Sequence, residues 1–181
     1  MKKVIHKVFP LWSYDKEEQW LNDMSKKGYQ LCDVGFCRYT FEEGLPGEYI
    51  YRLELLDNWP TTEQSKEYIR FLEDTGVEHV STLLRWVYFR KKSGSSGFDL
   101  YSDVDSRIRH LNRILFLAGI LAALNLFNGI SLLFRSPAEY ETDTNLVLGT
   151  ICLAIGVLLG AGFLYLYNKK RKLKKEKLLH E

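Results

Sequence analysis

The stretch RYTFEEGLPGEYIYRLE, Arg38 to Glu54, decides how the first half of the chain is read. A Gly-rich acidic segment lies between two aromatic runs, with an arginine on each side. Two readings compete: a binding loop, or a turn within a small sheet. Pro46 suits the first turning position because its ring holds φ at about −65°. Gly47 suits a following position with positive φ, and Gly44 relaxes the acidic loop around them. The flanking aromatics then fall into strand alternation, mostly toward a core. The segment therefore reads as a hairpin joining two halves of one domain.

Outward from that hairpin, the halves share one grammar. VIHKVF reads as a strand, and DKEEQWLNDMSKKG as a helix capped by Asp15, with Glu18 at N3 closing a capping box. Trp20, Leu21 and Met24 form its apolar stripe, and Gly28 ends it. YQLCDVGFCRYTF follows as a strand bent near Asp33 or Gly35. In the second half EYIYRLELL is a strand. TTEQSKEYIRFLEDTG is a helix with Thr61 as cap, an apolar face of Tyr68, Phe71 and Leu72, and Gly76 as stop. VEHVSTLLRWVYFR closes as a strand. Two β-α-β halves within residues 1–92 imply an α+β, ferredoxin-like β-α-β-β-α-β domain with sheet order 4-1-3-2 and both helices on one face. An irregular α+β arrangement is the alternative if the bend in the second strand is a true break.

Strand alternation puts Tyr49, Tyr51, Leu53 and Leu55 on one face and Ile50, Arg52, Glu54 and Leu56 on the other. Burying the tyrosine face leaves Arg52, Glu54 and Arg85 on an open face, joined by Arg38, as a candidate protein-contact surface. An open sheet with arginines and aromatics invites comparison with RNA-recognition domains, but their strand motif is absent. The first 112 residues carry 16 Lys or Arg against 18 Asp or Glu, so they have no basic surplus for nucleic acid.

Catalytic motifs are lacking: no G-x-S-x-G, H-E-x-x-H or Walker sequence occurs. His6 alternates with Val4 and Val8 as a strand residue. The pairs Glu17–Glu18 and Glu42–Glu43 read as carboxylates gathered at a helix start and in a loop. Cys32, Cys37 and Cys152 give no disulfide framework, and the first two are spaced poorly for a redox pair or metal site. The sequence thus calls for no catalytic residue, no cofactor and no metal, and the chain is expected not to be an enzyme.

The strongest signal lies later. Residues 114–134, ILFLAGILAALNLFNGISLLF, and 146–167, LVLGTICLAIGVLLGAGFLYLY, are 21 and 22 residues without a formal charge. Each spans a hydrocarbon layer of about 30 Å. Arg107, Arg109 and Arg113 precede the first, and seven Lys or Arg against two Glu follow the second from Lys169 onward. The intervening 135–145 has one Arg against Glu139, Glu141 and Asp143. This bias places both termini in the cytoplasm, with a short external loop and a basic tail over 168–181. The N-terminal MKKVIHKVF lacks the apolar core of a signal peptide. Asn125 and Asn128 share a helix face and read as interhelical glue, while Gly156 and Gly160 form a G-x-x-x-G suited to close packing. Residues 93–113 begin as a flexible tether. From Ser102 or Asp103 they continue as a juxtamembrane helix with Val104, Ile108 and Leu111 on one side.

The segments DKEEQWLNDMSKKGYQL, GFCRYTFEEGLPGEYIYRLELLD and DLYSDVDSRIRHLNR, with the paired spans, resemble the bacterial family catalogued as domain of unknown function 2812. The resemblance covers nearly the whole chain and brings no catalytic residues. It implies a small membrane protein of the kind encoded beside PadR-like transcriptional regulators. The expectation is a multi-pass protein of the bacterial cell membrane in contact with lipid, whose cytoplasmic domain meets a protein partner or another copy in a regulatory or accessory role. A small transporter or export component is the alternative, and a membrane-associated enzyme the third choice.

Overall fold

The computed structural model describes residues 2–94, 98, 100, 104–134 and 142–180. They form two compact units, Met1–Ser102 and Asp103–Glu181. The end of the tether (95–97), the expected helix start at Ser102 or Asp103 and most of the external loop (135–141) lie outside the described residues.

In the first unit the strands are β1 Lys2–His6, β2 Tyr29–Gly35, β3 Arg38–Glu43, β4 Tyr49–Leu55, β5 Glu78–Leu83 and β6 Trp86–Lys92. Helices α1 Tyr14–Lys26 and α2 Glu63–Asp74 complete a mixed α/β domain. The two long strands expected over 29–41 and 77–90 are each a hairpin. Cys37 and Leu84 occupy the turns at φ of 54° and 58°. A side chain other than Gly rarely takes this left-handed region, so neither turn carries a composition signal.

All strand pairings are antiparallel, and the sheet orders are β1-β3-β2 and β4-β6-β5. The single 4-1-3-2 ferredoxin-like sheet therefore does not form. Nor is Arg38–Glu54 a hairpin: β3 and β4 belong to different sheets, and residues 44–48 cross between them. Gly47 does take a positive φ of 71°. The crossing is pinned to the end of α1 and the start of β2. The Gly47 amide donates to the Ser25 carbonyl (2.7 Å), the Gly44 amide to the Gly28 carbonyl (2.9 Å), and the Gln30 side-chain amide to the Leu45 carbonyl (2.8 Å). A Cβ on Gly44 would lie 2.8 Å from Gln30 Cγ, so this close approach requires glycine.

The matched halves are real, with a different unit: β-α-β-β, twice. From the helix stops onward the second copy follows the first at a constant offset. Gly28 and Gly76 both sit at φ of 82°. Bulges fall between Leu31 and Asp33 and between His79 and Ser81, and the turns after Gly35 and Leu83 correspond. The two copies meet at their edge strands β2 and β5, where the Val34 amide donates to Ser81 Oγ (3.1 Å), which in turn donates to Asp33 (3.1 Å).

Helix α1 explains why β4 does not pair with β3. Along one face, Glu18 Oε2 accepts from the Leu53 amide (3.1 Å). Asn22 both accepts from the Tyr51 amide (2.8 Å) and donates to its carbonyl (3.1 Å), and Ser25 Oγ donates to the Tyr49 carbonyl (2.7 Å). Alternate residues of a strand direct their backbone groups to the same edge, so three side chains on successive turns satisfy the edge that another strand would otherwise occupy. Glu18 thus closes no capping box. The N-cap is Ser13, without a side-chain bond, and Asp15 lies inside the helix. In α2 the cap is Thr62, one residue past the expected Thr61, and accepts from the Ser65 amide.

Leu21 and Met24 of α1 pack with Leu31, Tyr39, Phe41 and the Tyr51, Leu53 and Tyr88 face of the second sheet. Burying side chains of this size contributes about 1.5–3 kcal/mol each. Helix α2 lies on the opposite face of that second sheet, where Tyr68, Ile69 and Leu72 meet Ile50, Leu56, Val87 and Phe89. The helices are therefore not on one face of one sheet, and Phe71, expected inward, is exposed.

The second unit contains α3 Val104–Phe134 and α4 Thr142–His180, 31 and 39 residues. Both are long and apolar enough to cross a membrane. At about 1.5 Å per residue each exceeds a hydrocarbon core of about 30 Å, with α4 running on through the basic segment. They pair antiparallel in one sustained register. Asp105, Gly119, Leu126 and Leu133 face Lys177, Phe163, Gly156 and Gly149, with Gly129 opposite Leu153. Seven-residue spacing on both partners is the signature of a coiled-coil seam.

Candidate functional site

Beside the core of the first unit lies a cavity of about 250 Å³ with a carboxylate in its wall. Glu17 enters from the first turn of α1, four and seven residues before Leu21 and Met24, on the same apolar stripe. It is only 8% exposed. Tyr39 from β3 and Tyr88 from β6 each donate to Glu17 Oε1 at 2.7 Å. Both hydroxyls bond the same oxygen, so Oε2 is left for the cavity that Glu17 lines.

Burial pushes the Glu17 carboxyl above its usual range, and the two tyrosine hydrogen bonds oppose that rise by supporting the charged form. The Tyr39 and Tyr88 hydroxyls are raised, first by burial and then by the adjacent Glu17 charge. They therefore remain proton donors at neutral pH and hold the carboxylate in one orientation.

The walls are aromatic. Tyr14 stacks on Trp86 with centroids 5.9 Å apart, and Phe9 meets the edge of Tyr39 at 6.1 Å. Lys7, also lining the cavity, places its ammonium 4.9 Å from the Phe9 centroid and 4.6 Å from that of Trp20. The second half does not repeat the site. Ser65 stands at the place of Glu17 in α2, buried and bonded locally to Thr62 Oγ (3.0 Å).

The residues singled out from sequence lie elsewhere and do not form one surface. Arg38 is exposed on the first sheet, 3.6 Å from Asp33. Arg52 is half-buried against Glu18 at 3.2 Å, with Phe98 beneath its guanidinium. Glu54 is 3% exposed and accepts from the Tyr68 hydroxyl at 2.7 Å, because α2 covers the face expected to be open. Arg85 donates to the carbonyls of Leu56 and Asp57, fixing the chain as it leaves β4. In the helical unit, Asn125 donates to the Leu121 carbonyl of its own helix (2.8 Å), and Asn128 is exposed. Gly156 packs under Leu126, where a Cβ would lie 2.8 Å from its side chain, whereas Gly160 faces open space.

The reading of Glu17 as one of two carboxylates gathered at a helix start misses this cavity. Its spacing to Leu21 and Met24 was the available signal, since a solvated residue has no reason to lie on the buried stripe.

Residues 13–123 match the model of a family described as "Protein of unknown function (DUF2812)". No curated protein and no solved structure matches the chain. The matched segment starts just before α1, takes in every strand except β1 and ends within α3, more than half of the 181 residues, and the chain belongs to the DUF2812 family.

Proposed function

We propose that this is a membrane-anchored regulatory or accessory protein of the bacterial cell membrane. Its α/β domain lies in the cytoplasm and binds a protein partner or a second copy of the chain, without catalysis of its own. The observation that carries this reading is the unbroken course of α3 from Val104 to Phe134. A juxtamembrane segment continuous with a span moves with it as one body, which suits a relay better than a flexible anchor does.

Orientation follows from charge. Arg107, Arg109 and Arg113 at one end of the hairpin and the basic run from Lys169 mark that side as cytoplasmic, while 135–145 is nearly free of basic residues. Crosslinking in native membranes followed by mass spectrometry tests the reading. Recovery of reproducible partner or self-contacts on residues 1–92 supports it. Failure to recover either from intact, inserted protein overturns it.

A further inference from the structure

We propose that the Glu17 cavity binds a small organic cation: a protonated primary amine with an apolar, preferably aromatic, body. This rests on the geometry of the cavity and is independent of the regulatory reading.

The chemistry of the lining selects the ligand. Glu17 is a buried carboxyl group among aromatic rings, so an anion would meet the repulsion of its ionised form. The two tyrosines occupy Oε1 and leave one oxygen for a guest. A single free oxygen suits the point charge of an ammonium, whereas the planar fork of a guanidinium is best met by both oxygens of a carboxylate.

The rings supply the second contact, because aromatic faces attract cations. Lys7 demonstrates this locally, with its ammonium over Phe9 and Trp20. Its charge also disfavours a second cation beside it, so the guest's amine belongs at Glu17, with its apolar body against the stacked Tyr14–Trp86 pair and Phe36. At about 250 Å³ the space falls just below the range of about 300–1,000 Å³ typical of drug-sized ligands, so a compact guest is favoured.

The test is calorimetric titration of the full-length protein in nanodiscs with phenethylammonium, and with its neutral and anionic counterparts, 2-phenylethanol and 3-phenylpropanoate. The expected result is measurable binding of the amine, about tenfold or more tighter than the alcohol, with the anion weakest, since a hydrogen-bonded charge is worth at least that factor. Glu17→Gln should weaken the amine by a similar factor and bring it level with the alcohol. Tyr14→Ala, which removes half of the stacked wall without touching Glu17, should weaken it several-fold. If Glu17→Gln does not fold, the wild-type ratio of amine to alcohol and the Tyr14→Ala variant decide. Equal affinity for amine and alcohol, tighter binding of the anion, or no amine binding at millimolar concentration would overturn the proposal.

Discussion

Glu17 carries a cost that its surroundings only partly offset. Its folded pKa lies above the unfolded value because burial penalises the charge more than Tyr39 and Tyr88 relieve it. Between the unfolded and folded pKa values the folded state therefore holds a proton that the unfolded state has released, and stability falls as pH rises through that window. The stabilising contribution is full below the unfolded value of about 4.5 and lost above the folded one. Glu17→Gln keeps an acceptor for both hydroxyls and removes the charge. Its melting temperature relative to wild type is expected to rise between pH 4 and pH 8; a difference that stays flat across that range would contradict this account. Asn22 gives a second test at this scale. It satisfies both the amide and the carbonyl of Tyr51. Asn22→Ala is expected to cost about 1–3 kcal/mol, read from chemical denaturation, because it leaves two edge groups without their partner.

At the scale of elements, the turns and the helical seam make contrasting demands on glycine. Leu84 sits at φ 58° and is largely exposed, so it pays for a left-handed conformation without packing in return. Leu84→Gly is expected to stabilise the domain by up to about 1 kcal/mol, the relief of strain being partly cancelled by entropy. A fall in melting temperature would show that the turn depends on the leucine side chain. In the hairpin, Gly156 lies beneath Leu126 and Gly160 opens onto free space. Cysteines replacing Leu133 and Gly149, in a Cys152→Ser background, should crosslink efficiently. Adding Gly156→Leu should reduce the yield strongly and Gly160→Leu should leave it unchanged. The G-x-x-x-G spacing identified one packing glycine, but the partners of the seam, Gly129 and Gly149, follow from which helix face meets which.

For the whole molecule, an α/β unit precedes a helix pair whose charged ends share one side of the apolar stretch. Asp105 and Lys177 join across it at 2.8 Å, the last step of the register that begins at Leu133 and Gly149. Replacing the seven basic residues from Lys169 onward with Gln is expected to produce a mixed orientation, because it removes most of the charge asymmetry. Reporter fusions at the C-terminus and within 135–145 read the outcome. An unchanged orientation would assign control to Arg107, Arg109 and Arg113 alone.

Local chemistry made much of this protein legible from its sequence. Gly28 and Gly76 stop helices because positive φ favours glycine. The irregularity near Asp33 is a bulge because alternation slips there, and two uncharged runs are helices long enough for a bilayer because their length and composition require it. What tertiary structure decided was the destination of groups with more than one local option. Cys37 and Leu84 turn the chain because their hairpins pack, against their own backbone preference. Glu18, Asn22 and Ser25 bond the edge of β4 although each could equally face water. Glu17 gains its meaning from two tyrosines 22 and 71 residues away. The segment Arg38–Glu54 contains a turn that its residues specify, yet not a hairpin, because α1 already occupies the edge that β3 would need.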